Sequence, residues 1–347
     1  MTLSNASKKQ TKKAAARGTV TPGQLLFGLF SLFCLSLILR NSDVAIEYMN
    51  QGLLLCAKTV IPSLFPFMVL SELIVSGGIG RALIQKISSP LGRLFRLSGA
   101  GCCALLLGLI CGFPIGARCT VLSYERGELS KGEAERVLAC SGIPSSAFLI
   151  SAVGVSLWGN RRFGVLLYVT VLICALLTAF LLAHLWKEKN ATPYPFAPLP
   201  SNAPDVPSAK LFTDAIRSAT ASILPICAYV VFFSALIGTF NLVFGRLPLS
   251  PALRATLFGL FELSGGMSQV AALGNTATAA CLCAFCAGWS GLSVHCQVLS
   301  LCDGRGFSFR LYFLSKLFQG LLCALLFGIL IHFFPDALIP ANFCIRG

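Results

Sequence analysis

Long apolar runs separated by short polar loops constrain this sequence more than any other feature. An α-helix needs about 20 apolar residues to cross the hydrocarbon core of a bilayer. Of the 347 residues, 56% are hydrophobic and only 12% are charged, whereas soluble domains carry about 25% charged residues. We therefore expect an all-α polytopic membrane protein. The apolar runs lie at 25–39, 50–77, 98–122, 137–157, 163–186, 219–244, 252–273, 277–302 and 310–334.

The net charge of +14 does not indicate a nucleic-acid partner. The cations lie in short loops between apolar runs, as the positive-inside rule predicts, and no module of interleaved basic and aromatic residues accompanies them. The N-terminus is basic and precedes the run 25–39 without a small-residue cleavage site. This pattern predicts a retained first span whose basic flank stays in the cytosol.

The cysteine pattern and the absence of catalytic motifs argue against an enzyme. The sixteen cysteines are spread through the apolar runs, where small residues favour close helix packing. Cys281, Cys283 and Cys286 lack a second pair of soft ligands at zinc spacing, so neither a metal nor another cofactor is expected. The sequence contains no H-E-x-x-H, G-x-S-x-G, Walker A or Rossmann motif.

The chain divides into two similar halves. Pro62 aligns with Pro225, LLLGLICGFPIGA (105–117) with TLFGLFELSGGMS (256–268), and SGIPSS (141–146) with SGLSVH (290–295). These matches occur in the same order and predict an internal duplication. We expect a basic N-terminus with the first span (1–49), a first repeat (50–186), a Pro-rich cytosolic linker (187–218), a second repeat (219–334) and a short tail (335–347).

The runs 98–122 and 252–273 are each interrupted near the middle by helix-breaking residues. Each half-run is much shorter than the roughly 20 residues that a span requires, which favours two re-entrant hairpins. With both hairpins turning back, the halves have opposite orientations, and more Lys and Arg residues fall on the cytosolic side than if both runs span. Inverted repeats with broken helices at corresponding positions are typical of secondary transporters.

The hairpin tips are the predicted substrate site, because the N-terminus of a half-helix attracts anions. Ser145 and Ser293, which lie in the breaks of the helices that follow, would complete it. The alternative is that the glycines only let helices pack closely. The tip residues are Gly112, Phe113, Pro114 and Gly116 with the adjacent Arg118 in the first repeat, and Ser264, Gly265 and Gly266 in the second.

Glu262, His295 and Glu72 are the candidates for coupling or gating. Glu262 directly precedes the second tip and would either bind a proton or pair with Arg118. His295 follows the second break and has an unperturbed pKa near neutrality. For Arg118 the alternative is a shallow hairpin that leaves this charge at the cytosolic surface rather than inside the membrane.

At these motifs the sequence resembles the YlbJ-like sporulation integral membrane proteins. CGFPIGAR (111–118) is similar to the family's SGYPxGAK-type signature, with Cys111 and Arg118 in place of Ser and Lys. FELSGG (261–266) and GWSGLSVHCQVLS (288–300) are similar to its second-half motifs. The family falls within the nucleoside-recognition, or Gate, domain superfamily. The resemblance therefore implies a fold like the core of concentrative nucleoside transporters.

The resemblance also implies a role in endospore formation. Well-understood members move dipicolinic acid out of the mother cell across the outer forespore membrane, so the expected partners are a small anion and the lipid bilayer. Two alternatives stay open. One is a transporter of a nucleoside or other small solute coupled to a cation, and the other is a non-transporting sporulation membrane scaffold. A homo-oligomer is also left open.

Overall fold

A computed structural model describes residues 22–76, 90–186, 208–245 and 248–333, and its regular elements there are helices. The basic segment before residue 22, residues 187–207 of the predicted linker and the predicted tail lie outside the described residues. The elements in chain order are α1 (Pro22–Arg40), α2 (Ser42–Leu55), a π-helical turn (Cys56–Val60), α3 (Ile61–Ser76), α4 (Gly99–Cys111), α5 (Ile115–Glu125), α6 (Lys131–Ser141), a π-helical segment (Phe148–Leu157), α7 (Arg161–Leu185), α8 (Ser208–Phe244), α9 (Pro251–Phe261), α10 (Leu263–Ala271), α11 (Ala277–Trp289), α12 (Leu292–Leu301) and α13 (Phe309–Phe333).

Five stretches of helix among the described residues are long and apolar enough to cross a membrane. A sixth is counted if Ser42–Val60 and Leu64–Leu70, which meet at 46°, form one bent span. Large apolar side chains cover the outside, such as Phe27 at 73% and Leu224 at 62% exposed. Such a surface suits lipid, and the prediction of an all-α polytopic membrane protein is confirmed. The five stretches are Pro22–Arg40, Arg161–Leu185, Ala209–Leu242, Ala277–Leu301 and Phe309–Phe333.

The two interrupted runs both fold back on themselves as helical hairpins. A Cβ atom built on Gly116 of α5 would lie 2.6 Å from the Cα atom of Gly108 in α4. In one straight helix these residues would be about 12 Å apart. In the second hairpin, a Cβ atom on Gly266 of α10 would overlap the Cα atom of Gly259 in α9.

Equivalent backbone carbonyls in the two hairpins are satisfied by aromatic side chains. The hydroxyl of Tyr168 donates to the carbonyl of Leu109, at 3.0 Å, and the indole N–H of Trp289 donates to the carbonyl of Leu260, at 3.1 Å. Leu109 and Leu260 occupy the same position in the alignment of the two repeats. These bonds matter because the last carbonyls of each half-helix have no partner within their own helix.

The helices that follow the hairpins are broken where the sequence predicts it. After the first hairpin, α6 ends at Ser141, and the π-helical segment begins at Phe148 after a stretch that contains Pro144. After the second hairpin, α11 and α12 are separated by Ser290 at φ 78° and Gly291 at φ 82°. A left-handed residue ends an α-helix, because its carbonyl can no longer continue the hydrogen-bond ladder.

Two loops meet at one end of the bundle. Glu125, the last residue of α5 before the loop to α6, forms an ion pair with Arg305 of the loop between α12 and α13. Nearby, the backbone N–H of Ser308 donates to the carboxylate of Glu135 at 2.7 Å. These two loops therefore lie on the same side of any membrane that the bundle crosses.

The described helices pack into two groups. The largest buried cluster joins both hairpins, both broken helices, α7 and α13, with Leu105, Leu167 and Cys283 at its centre. A separate cluster joins α3 to α8 through residues such as Met68 and Ile223. Most of the described cysteines are buried.

Helix α8 begins earlier than its apolar run in the sequence. Helix α8 starts at Ser208, so the last part of the predicted linker 187–218 is helical. The last proline of the linker is Pro207, and the polar residues that follow it contain no helix breaker. The helix therefore begins before the apolar run 219–244 that was predicted as its length.

Candidate functional site

Three cavities form a row between the α3–α8 group and the hairpin bundle. Successive side chains of α8 line them in order. Ser218 and Ser222 line the first, which we call the Arg118 cavity. Val230 lines the second, the central cavity, and Ser234 lines the third, the Lys58 cavity. The spacing of these positions is that of one face of a helix.

The segment α2–α3 lines the same three cavities in the opposite order. Lys58 belongs to the Lys58 cavity, Leu64 to the central cavity, and Met68 and Glu72 to the Arg118 cavity. This segment therefore runs antiparallel to α8 across the row. The two elements also contact directly at Cys56, whose thiol lies 3.9 Å from the carbonyl oxygen of Cys227.

The hairpins approach the row from opposite ends. The first hairpin lines the Arg118 cavity and extends its tip residue Phe113 into the central cavity. The second hairpin lines the Lys58 cavity with Gly265 and Ser268, and its tip residue Ser264 reaches the central cavity. The tips of the two hairpins thus meet at the centre of the row.

The first tip docks on the break in the first broken helix. The backbone N–H of Phe113 donates to the carbonyl of Ile143 at 3.0 Å. Gly112 has φ 79°, and a Cβ atom there would lie 2.6 Å from the backbone nitrogen of Ser145. Gly112 therefore allows both the turn and the close approach. Pro114 then occupies the position directly before α5 without forming a capping hydrogen bond.

The second tip contains a buried carboxylate side chain. Glu262 is 2% exposed, and its carboxylate accepts hydrogen bonds from the backbone N–H groups of Ser264, at 2.9 Å, and Gly265, at 2.5 Å. These amides lie in the first turn of α10, so Glu262 caps the end that was expected to attract an anionic ligand. The second break packs closely here, because a Cβ atom on Gly291 would lie 2.9 Å from the backbone nitrogen of Leu263.

The central cavity brings five of the predicted site residues together. Its volume is about 30 Å³, which is room for little more than water. Ser145 caps the helix after the first break by accepting from the N–H of Phe148 at 3.2 Å. Sequence reasoning missed Gln297, a cavity-lining residue whose buried Oε1 has no partner among the described residues. The five predicted residues are Phe113, Ser145, Glu262, Ser264 and Ser293.

Arg118 does not meet Glu262 at the centre. Its guanidinium is exposed and donates from Nη1 to the hydroxyl of Ser218 at 3.0 Å. The Arg118 cavity has a volume of about 210 Å³ and also contains Glu72 and Arg126. Arg118 follows Pro114 by four residues, which places it about one helical turn away from the tip.

The Lys58 cavity is the larger of the two outer cavities, with a volume of about 320 Å³. Lys58 lies in the π-helical turn of the bent span, and such turns are frequent at functional sites. Of the site residues predicted from the sequence, Gly265 lies here. The other polar lining residues are Tyr48, Gln51, Thr59, Ser234, Ser268 and Gln269.

His295 lies behind the cavities rather than in them. It is fully buried, its Nδ1 atom lies 2.9 Å from the hydroxyl of Tyr312, and its ring packs edge-on against Trp289. Lys316 of α13 is also fully buried, and it is not among the site residues predicted from the sequence. Its position well inside an apolar run of 25 residues is the signal that could have found it.

This arrangement defines a class of protein: a helical, polytopic membrane protein with a small polar site enclosed by paired helix breaks. Comparison with known proteins finds a relative of this chain. The chain is 26% identical to the sporulation integral membrane protein YlbJ of Bacillus subtilis (strain 168) over 334 residues, which cover 86% of this chain and 81% of that protein. This similarity supports the resemblance to the YlbJ-like sporulation integral membrane proteins. No protein-family model matches it, and no solved structure matches it.

Proposed function

We propose that this protein is a secondary transporter of a small organic anion, dipicolinate, which leaves the mother cell during endospore formation. The observation that carries the proposal is the row of three cavities, lined in order by α8 and in reverse order by α2–α3. Three successive cavities between two helix groups mark the path that a solute would take through the bundle. The narrow centre of about 30 Å³ would close that path to the cargo in this conformation.

The proposed architecture is a pair of inverted repeats with two re-entrant hairpins, like the core of concentrative nucleoside transporters. Three features support it: the hairpins line opposite ends of the row, their tips meet at its centre, and each tip packs against a broken helix. The contact of Glu125 with Arg305 places two loops on one side, which agrees with hairpins that turn back. Alternating access would follow if the hairpin bundle rocks against α3 and α8.

The preference for an anion is supported by the cations at both ends of the row. Arg118 and Arg126 line one outer cavity, and Lys58 lines the other. Dipicolinate is a planar dianion, and an arginine can bind a carboxylate with two parallel hydrogen bonds. An inside-negative membrane would drive its exit by about 2.3 kcal/mol per charge per 100 mV.

A neutral polar solute such as a nucleoside is the second candidate, and the centre of the row favours it. The ionisable residue that lines the central cavity is an acid, Glu262, and no Lys, Arg or His of the described residues lines it. A carboxylate at this position would accept hydrogen bonds from the hydroxyl groups of a neutral solute, whereas it would repel a dianion. The two candidates therefore make opposite predictions about the cargo.

Flux into proteoliposomes decides between them. Purified protein would be reconstituted, and uptake of labelled dipicolinate and labelled uridine would be followed with and without a membrane potential. The proposal expects saturable dipicolinate uptake that rises when the interior is made positive, and no uridine uptake. Uridine uptake alone would establish the second candidate. Transport of neither solute would favour the scaffold.

The proposed location is the outer forespore membrane. The support is the relation to a sporulation integral membrane protein together with the membrane-spanning helices. Imaging of a fluorescent fusion in sporulating cells would test it. The expected signal surrounds the engulfed forespore and depends on expression in the mother cell.

A further inference from the structure

A lysine lies in the interior of the hairpin bundle. Lys316 is fully buried, and its ammonium donates hydrogen bonds to the backbone carbonyl of Gly142 and to Oε1 of Gln319, the latter at 2.8 Å. Gly142 directly follows α6, at the break of the first broken helix. The lysine belongs to the second repeat and its acceptor to the first, so this bond joins the two halves.

No carboxylate of the described ranges forms an ion pair with Lys316. A buried charge without a counter-charge is very unfavourable unless nearby dipoles compensate it. Here the compensation is the C-terminal end of α6, which carries about half a negative charge. Gln319 supplies a second dipole through its side-chain oxygen. The positive charge of the ammonium is therefore stabilised by the negative end of α6.

Unwound carbonyls and half-helix C-termini are the groups that bind coupling cations in secondary transporters. In this chain the cation at the carbonyl of the first break is the ammonium of Lys316, which is part of the protein itself. A Leu-Tyr pair lies near the start of the last helix of each predicted repeat, Leu167-Tyr168 in α7 and Leu311-Tyr312 in α13. Aligning these pairs makes Leu172 the counterpart of Lys316. The predicted duplication alone therefore does not explain the charge of Lys316, because the counterpart of this lysine in the first repeat is uncharged.

We propose that Lys316 is a resident cation that fills the cation site of the first break, so that this protein takes no coupling metal ion. The inference about coupling rests on the proposed transport function. The inference about occupancy rests only on the contacts of Lys316. Stability measurements can therefore test the occupancy even if the cargo is neither dipicolinate nor a nucleoside.

The first arm uses the unaltered protein in proteoliposomes. Initial dipicolinate uptake would be measured at a clamped membrane potential in chloride salts of Na⁺, K⁺ and N-methylglucamine at equal ionic strength. The expected uptake rates in the three salts agree within about twofold. A cation that couples with about 1.4 kcal/mol would change the rate about tenfold. A tenfold dependence on Na⁺ or K⁺ would overturn the proposal. If the protein moves no solute at all, the proposed function fails, and the second arm still decides occupancy.

The second arm measures thermal unfolding of the full chain in detergent. Lys316→Ala is expected to unfold at a lower temperature and to recover part of the loss in n-propylammonium, which supplies the missing side chain beyond Cβ. Neither n-propanol, which has the same length but no charge, nor Na⁺ should restore it. Lys316→Met fills the same space and should be destabilised without recovery.

Lys210→Met is the matched control, because Lys210 is exposed near the start of α8; no change is expected. A Lys316→Met protein as stable as the unaltered one would overturn the proposal. So would a Lys316→Ala protein that n-propanol restores as well as n-propylammonium, because the space and not the charge would then matter. If Lys316→Ala fails to fold in every salt, the cation dependence of the unaltered protein decides whether the proposal stands.

Discussion

Gly116 and Gly108 bring the two arms of the first hairpin into backbone contact. A Cβ atom on Gly116 would lie 2.6 Å from the Cα atom of Gly108, and Gly266 and Gly259 repeat this close approach in the second hairpin. Each position is helical, so the glycine is needed for space rather than for an unusual backbone angle. The two hairpins therefore depend on the same packing device.

Replacing either glycine should open its hairpin. Gly116→Ala and Gly266→Ala are each expected to cost about 1–3 kcal/mol, since a methyl group would have to push backbone apart. Thermal unfolding in detergent would show lower midpoints. Gly28→Ala is the control, because nothing lies within 4 Å of a Cβ atom there. A Gly116→Ala protein as stable as the Gly28→Ala protein would contradict the hairpin geometry.

Glu262 should be important for the order of the second tip. Glu262→Gln keeps the size but removes the carboxylate that accepts from Ser264 and Gly265. Because hydrogen bonds to charged groups contribute about 1.5–3 kcal/mol, a lower unfolding midpoint and reduced solute flux are expected together. The exposed Asp214→Asn should change neither. Normal stability with altered flux would instead assign Glu262 to the cargo or to a proton.

The breaks could be predicted from the sequence because glycine, proline and serine act locally. The residues around Gly112 and Gly291 end helices wherever the chain goes, and the repeat alignment indicated that the two tips correspond. The meeting of Ser145, Ser264 and Ser293 followed from these breaks. The cap formed by Glu262 is local too, although the sequence analysis assigned this carboxylate to a proton or to Arg118.

The rest depended on contacts between distant segments. Arg118 was expected at the substrate site because it follows the tip in sequence, but one helical turn carries it to a different cavity. The acceptor of Lys316 is the backbone carbonyl of Gly142, which is distant in sequence. Every residue has a backbone carbonyl, so the sequence does not show which one a side chain will contact. The Lys58 cavity likewise depends on how α2 and α8 face the second hairpin.

Arg118 should set the affinity for an anionic cargo rather than the rate of its passage. Arg118→Gln removes an exposed charge from the Arg118 cavity, and so a severalfold higher KM for dipicolinate with little change in maximal flux is expected. The difference should shrink at high salt, because exposed charges are screened. Arg162→Gln, at the exposed start of α7, is the control. Dipicolinate content of spores gives a second readout, and normal content would remove Arg118 from the site.

Enlarging a side chain at the central cavity should block transport. Val230 is 3% exposed and lines a cavity of about 30 Å³, so that Val230→Phe would fill the space into which the path must open. Flux should fall at least tenfold while the protein still reaches the membrane. Leu224→Phe on the same helix is the control, since Leu224 is 62% exposed and faces outward. Equal flux in the two variants would move the path elsewhere.

The two outer cavities should open to opposite sides of the membrane. Ser222 lines the Arg118 cavity and Ser234 the Lys58 cavity, and these residues lie about 18 Å apart along α8. A membrane-impermeant thiol reagent should label Ser222→Cys from the cytosolic side and Ser234→Cys from the other side. The unaltered protein, with its own cysteines, sets the background. Labelling of both positions from one side would mean that the cavities share an entrance, and the row would then not be a path across the bilayer.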